Sequence, residues 1–237
     1  MSNLYFHYPF CKQACHYCNF HFSTTSKKKD AVWEAMKKEM VLRAYEISSP
    51  IQSIYFGGGS PSLLNPKSIE ELWDLINLHF TLEPLVEVTL EVNPDDVSES
   101  YLIELKKVGI NRLSLGVQSF LDRDLTLMNR VHKSKQARTA LELISKNFSN
   151  YSLDLIYGMP YSSLTDWEQT IETALSFNPP HISAYALTVE EKTALFYQVK
   201  KEEVLLLPEE AVEEQYQLMV QKLEGLGYIN YEFSNFG

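Results

Sequence analysis

The sequence predicts an α/β fold, an incomplete (β/α)6 barrel of parallel strands with helices outside. Three observations carry that prediction. Strand-like and amphipathic helical segments alternate at a steady beat, six such pairs can be counted, and the strands themselves alternate polar with apolar residues. The first strand, near residues 4–9, is aromatic and leads to a helix at 30–45 that Asp30 is expected to cap. A strand at 53–56 precedes a helix at 67–79 with Pro66 at its start. Strands at 87–92, 112–117 and 152–157 are followed by helices at 98–108, 134–147 and 164–177, the first of these opened by Ser98. The last unit pairs a strand at 181–187 with a long helix at 208–226 that starts at Pro208.

Parallel strands covered on both faces should read as near-continuous apolar runs. These do not. In EVTLEVN, Val88, Leu90 and Val92 oppose Thr89, Glu91 and Asn93, and in RLSLGVQ, Leu113, Leu115 and Val117 oppose Ser114, Gly116 and Gln118. The same phase sets Asp154 across from Leu153 and Leu155. Side chains alternate with period 2, so each strand offers an apolar face to the helices and a polar face inward. The lumen is therefore expected to be a ligand cavity, with chemistry at the C-terminal strand ends.

The 237 residues fit one large barrel or two small domains, and 45% apolar residues suffice for a core. A net charge of -10, from 31 acidic and 21 basic residues, leaves no basic stripe beyond residues 27–29 and speaks against nucleic acid as a partner. No run approaches the ~20 apolar residues of a membrane span, so a soluble protein of the reducing cytoplasm is expected.

Cys11, Cys15 and Cys18 are the chain's three cysteines and form C-x-x-x-C-x-x-C after the first strand. Scattered cysteines are usually small core hydrophobes, but three within eight residues of polar loop are not scattered. A zinc site needs a fourth ligand, for which His16 or His21 is at hand, yet the usual distant second pair is missing. An odd count and short spacing disfavour disulfides. A 4Fe-4S cluster normally takes four thiolates, so three would leave one iron open to a small molecule.

The ordered set YFHYPFCKQACHYC, FGGGSPS, EVNPD, LGVQSF, NRVH and DLIYGMP resembles the radical S-adenosylmethionine (SAM) family. Within it, the set is similar to the branch of oxygen-independent coproporphyrinogen III oxidase and the HemW-type heme chaperones. The resemblance spans nearly the whole chain and implies a TIM-like partial barrel over residues 1–190, with 191–237 the start of a C-terminal region that is cut short. It implies that Cys11, Cys15 and Cys18 ligate the cluster and that SAM chelates the fourth iron. Tyr5 and Tyr17 are then expected beside the ligand, Gly58, Gly59 and Ser60 at its methionine end, and Glu91, Gln118, Arg130 and Asp154 as its remaining contacts. Carboxylates suit ribose hydroxyls and the amino group, and a guanidinium suits a carboxylate. Ser60 stands where the family usually has Thr. His7 shares the inward face of the first strand with Tyr5, where packing and cofactor contact both stay open, and His132 is expected on the surface.

Two functions follow from the resemblance. One is a chaperone that binds heme and passes it to acceptor proteins, some of them membrane-bound. The other is an oxidase whose 5'-deoxyadenosyl radical starts the decarboxylation of coproporphyrinogen III. Phe20 stands where the oxidases carry a further Cys, and ten residues before Cys11 leave no room for their N-terminal extension, so oxidase activity is not expected. The HemW-type motif H-N-x-x-Y-W is absent after residues 231–237, so no heme ligand can be assigned.

Overall fold

The structure, a computed structural model, describes residues 2–237. Six parallel strands, β1 (Ser2–Tyr8), β2 (Ile51–Gly58), β3 (Leu82–Val92), β4 (Arg112–Gln118), β5 (Tyr151–Tyr157) and β6 (His181–Ala186), lie in sequence order in one sheet. Helices α1 (Lys29–Arg43), α2 (Pro66–His79), α3 (Glu99–Lys107), α4 (Asp122–Leu127), α5 (Ser134–Asn147), α6 (Leu164–Leu175), α7 (Ala194–Lys200) and α8 (Glu209–Gly225) accompany them. The six βα units are those read from the sequence.

The strand alternation decides where the core sits. Ile54, Phe56, Val88, Leu90, Leu113, Leu115, Leu153 and Ile182 face outward and are almost fully buried. They meet the apolar stripes of the helices, such as Ile69, Leu72 and Ile76 of α2 and Ala140, Leu141 and Ile144 of α5. At roughly 1.5–3 kcal/mol per fully buried large aliphatic side chain, this outer layer is the main stabilising term of the fold. The inward face is thereby left to polar groups.

The structure departs from the sequence reading in three places. Asp30 does not cap α1: the helix begins at Lys29, after a short 3-10 turn over Ser26–Lys28, and Asp30 lies in its first turn. There it still favours the positive end of the helix dipole. Ser98 does cap α3, its hydroxyl accepting from Tyr101 N at 3.2 Å. Helices α4 and α7 are additional, each one or two turns long. Finally, β7 (Asn230–Glu232) and β8 (Asn235–Phe236) form an antiparallel hairpin whose β8 pairs with β6. Residues past 190 pack on the earlier ones: Phe236 is fully buried, and Gln215 of α8 accepts from Gly158 N at 2.8 Å. The sheet order β1-β2-β3-β4-β5-β6-β8-β7 leaves β1 and β7 as edges, so the barrel is open.

Candidate functional site

A cavity of about 450 Å³ occupies the C-terminal end of the lumen, within the size range of small-molecule and cofactor sites. Cys11, Cys15 and Cys18 line it together with Tyr17, Gly58, Gly59, Ser60, Glu91, Gln118, Arg130 and Asp154. Eleven of the twelve expected site residues thus share one cavity. Tyr5 does not line it: its ring is 59% exposed and stacks on Tyr55 at 5.9 Å, behind Glu91.

The cysteine loop leaves β1 and is pinched at its base, where Cys11 N donates to Ser23 O at 3.0 Å and Ser23 N to Pro9 O at 2.7 Å. Gly59 runs directly beneath it. A Cβ there would fall 2.9 Å from Cys11 Sγ and 2.8 Å from Phe10 O, so only glycine lets β2 pass this close. Gly58 has φ 118°, a left-handed conformation that favours glycine, and its N–H points at Glu91. Burial pushes the Cys11 and Cys18 thiols above their ordinary value, so binding a metal at this site releases protons.

The floor of the cavity is acidic. Glu91 Oε1 accepts from Tyr55 Oη at 3.0 Å and Oε2 from Gly58 N at 3.2 Å. Burial, with the charge of Asp154 adding, pushes Glu91 up to about 7. Asp154 accepts from Ser114 Oγ at 3.2 Å, and burial pushes it up to about 6 against the hydrogen bonds of Ser114 and Ser183. Two desolvated carboxyls with neutral partners suit a cationic ligand, which would supply the missing countercharge. Above them, Arg130 donates through Nη2 to Asn93 Oδ1 at 2.7 Å and to Gly116 O at 2.8 Å, and through Nη1 to Cys15 Sγ at 3.5 Å. Gln118, with φ 68°, follows an irregularity in the β4–β5 register that turns it toward the lumen.

Two histidines resolve differently. His7 Nε2 bonds His21 O at 3.0 Å and Nδ1 bonds Tyr5 Oη at 3.2 Å, so His7 braces the return of the cysteine loop. His132 is not a surface residue: it is fully buried and its Nε2 donates to Val117 O at 3.0 Å. Burial, with Arg130 adding, lowers it to about 4, so the ring is neutral. The chain turns inward here, and the ring ties the end of β4.

Asn93 is read from the sequence as inward at a C-terminal strand end but without a role, and Tyr55, Ser114 and Asn129 were missed as site residues. Strand phase marks Tyr55, Asn93 and Ser114 as inward, but nothing in the sequence pairs Tyr55 with Glu91. The donor set fits a cluster and a cationic cofactor: three thiols on one rim, a guanidinium beside them and two carboxyls below. Among the described residues, no three His, Cys, Asp or Glu side chains gather tightly enough for a single ion. The thiols instead border an open volume.

The radical SAM superfamily model matches residues 5–174. Heme chaperone HemW of Bacillus subtilis (strain 168) is 39% identical over 242 residues, covering 100% of this chain and 63% of that protein. Its Mycobacterium tuberculosis counterpart is 35% identical, covering 98% of this chain and 61% of that protein. The chain thus spans about three fifths of the length of these relatives. Among solved structures, coproporphyrinogen III oxidase (HemN) from Escherichia coli superposes with a TM-score of 0.87 at 25% identity, over 99% of this chain and 55% of that one.

Proposed function

The chain belongs to the radical SAM superfamily, and on that premise we propose that it is the cofactor-binding part of a HemW-type heme chaperone. The observation that carries the reading is the 39% identity to Bacillus HemW, which runs the full length of this chain. The superfamily's cofactors are a 4Fe-4S cluster and SAM. When bound, they supply one-electron chemistry that no side chain can.

The chain's own residues then bind and orient. Cys11, Cys15 and Cys18 would hold the cluster at the rim of the cavity. Gly58, Gly59 and Ser60 would border the methionine end of SAM, while Glu91, Gln118 and Asp154 would take its amino group and ribose. Arg130, fixed by Asn93 and Gly116, offers its remaining donors to the carboxylate. Tyr17 closes the cavity beside the cysteine loop, and Tyr5 stands behind Glu91. Heme is cargo, and its acceptors include membrane-bound proteins met from the cytoplasm. No helix of the described residues is long and apolar enough to cross a membrane.

A second reading, oxygen-independent coproporphyrinogen III oxidase, is favoured by the superposition on HemN. Phe20, 65% exposed at the rim, argues against it, because the oxidases place Cys there. The deciding experiment loads the protein anaerobically with iron, sulfide and SAM, then assays both activities. Heme transfer to an apo-cytochrome by a form extended to the relatives' length, with no protoporphyrinogen made, is expected. Several turnovers of coproporphyrinogen III overturn the chaperone reading.

A further inference from the structure

Between its pinched ends the cysteine loop makes few bonds within itself. Most of its ties come from the end of α4 and the residues that follow it. Gln13 Nε2 donates to Asn129 O at 2.9 Å and to Asn129 Oδ1 at 2.6 Å. Asn129 Nδ2 donates to Ala14 O at 2.8 Å. His16 N donates to Met128 O at 3.1 Å, and His16 Nδ1 to Leu127 O at 2.8 Å. Arg130 Nη1 reaches Cys15 Sγ. Residues 13–16 are therefore held against residues 127–130, and Asn129 sits at the centre of the contact.

We propose that Asn129 is a positioning residue that fixes the cysteine loop, and Cys15 above all, in the shape that receives the cluster; this rests on the cluster assignment made above. Three demands meet at this position. Its φ of 57° is left-handed, which Gly, Asn and Asp tolerate best. Its side chain accepts from Gln13 and donates to Ala14 O, and of those three residues only Asn offers both a donor and an acceptor. The two bonds have opposite polarity, so they also fix which way the amide faces. Next in sequence, Arg130 carries that fixed geometry onto the thiol of Cys15. With Asn129 in place, the loop keeps one shape with or without metal.

The test compares wild type with Asn129→Gly, Asn129→Asp and Gln13→Ala. Asn129→Gly keeps the left-handed backbone conformation and removes both side-chain bonds, so the chain should stay folded with a thermal midpoint only a few degrees lower. Asn129→Asp keeps the acceptor but sets a carboxylate against Ala14 O. In metal-free protein carrying Cys15 as its single cysteine, N-ethylmaleimide should alkylate that thiol roughly tenfold faster in both Asn129 variants, the effect of losing one or two ordinary hydrogen bonds. In anaerobically reconstituted three-cysteine protein, a chelator should strip iron faster by a similar factor, and the EPR signal of the reduced cluster should broaden. Gln13→Ala should move both readouts in the same direction, by less. Variants that match wild type in alkylation and iron release overturn the proposal. Failure of wild type to take up iron sinks the cluster assignment instead, and the alkylation rates then decide the clasp alone.

Discussion

The two ends of the lumen are built from the same strands and the same alternation, yet they differ in kind. At the N-terminal end Arg112 donates to Thr89 Oγ1 at 3.3 Å and to Ser152 Oγ at 3.2 Å, with Glu87 3.9 Å from its Nε. Ser53 Oγ donates to Asn3 Oδ1 at 2.9 Å beside it. Polar groups there satisfy one another and close the channel. Two residues along each strand, Glu91 and Asp154 have only neutral hydrogen-bond partners and face open space. At one end a guanidinium ties the polar groups together; at the other Arg130 bonds Asn93 and Gly116 rather than the acids, which border the cavity.

The comparison breaks most visibly at the thiols. Changing Cys11, Cys15 and Cys18 to Ala should take reconstituted iron from about four per chain to none, while the Arg112 end and the melting transition stay as they are. Stoichiometric zinc with no iron uptake would contradict the assignment. Next come the acids. Glu91→Ala or Asp154→Ala should weaken SAM by roughly 1.5 to 3 kcal/mol, the worth of a charge-assisted hydrogen bond, as read by calorimetric titration. Arg112→Ala should instead lower stability by about 1 kcal/mol, since Thr89 and Ser152 lose a donor but keep each a second partner. Unchanged SAM affinity in both acid variants would dissolve the distinction between the two ends.

The last consequence is a pH dependence. Glu91 sits near 7 against an ordinary 4.5, and Asp154 near 6 against 3.8. A raised carboxyl binds its proton more tightly in the folded state, so the ligand-free protein should lose stability as pH rises from about 4 through 7. Denaturant midpoints of wild type should therefore fall across that window, and Glu91→Gln should flatten the upper part of the slope. A cationic ligand reverses the sign at the high end. A midpoint that climbs from pH 5 to 7 in the wild type and not in Glu91→Gln would show the acids to be stabilised rather than strained.

Much of this was legible because it is periodic or clustered. The alternation in EVTLEVN and RLSLGVQ placed Glu91 and Gln118 in the lumen, and the cysteine spacing marked the loop. The β7–β8 hairpin was not legible: strands of three and two residues carry no period, and β8 exists because β6 offers it an edge. His132 was misplaced for a related reason, since its burial depends on the path of the chain after α4 and not on its neighbours in sequence. Asn129 left a trace only in the motif NRVH. Its left-handed turn and its bonds to Gln13 and Ala14 are products of tertiary contact, 115 and 116 residues away.

Those separations also set a timetable. The cysteine loop leaves the ribosome well before the residues that clasp it, which follow more than a hundred later, and Leu195, whose N–H bonds His16 O, comes later still. At about 5–20 residues per second of synthesis, the three thiols spend on the order of ten seconds or more on a nascent chain with nothing holding them in register. Metal delivered in that interval meets a flexible tripod of thiols; metal delivered afterwards meets a finished seat.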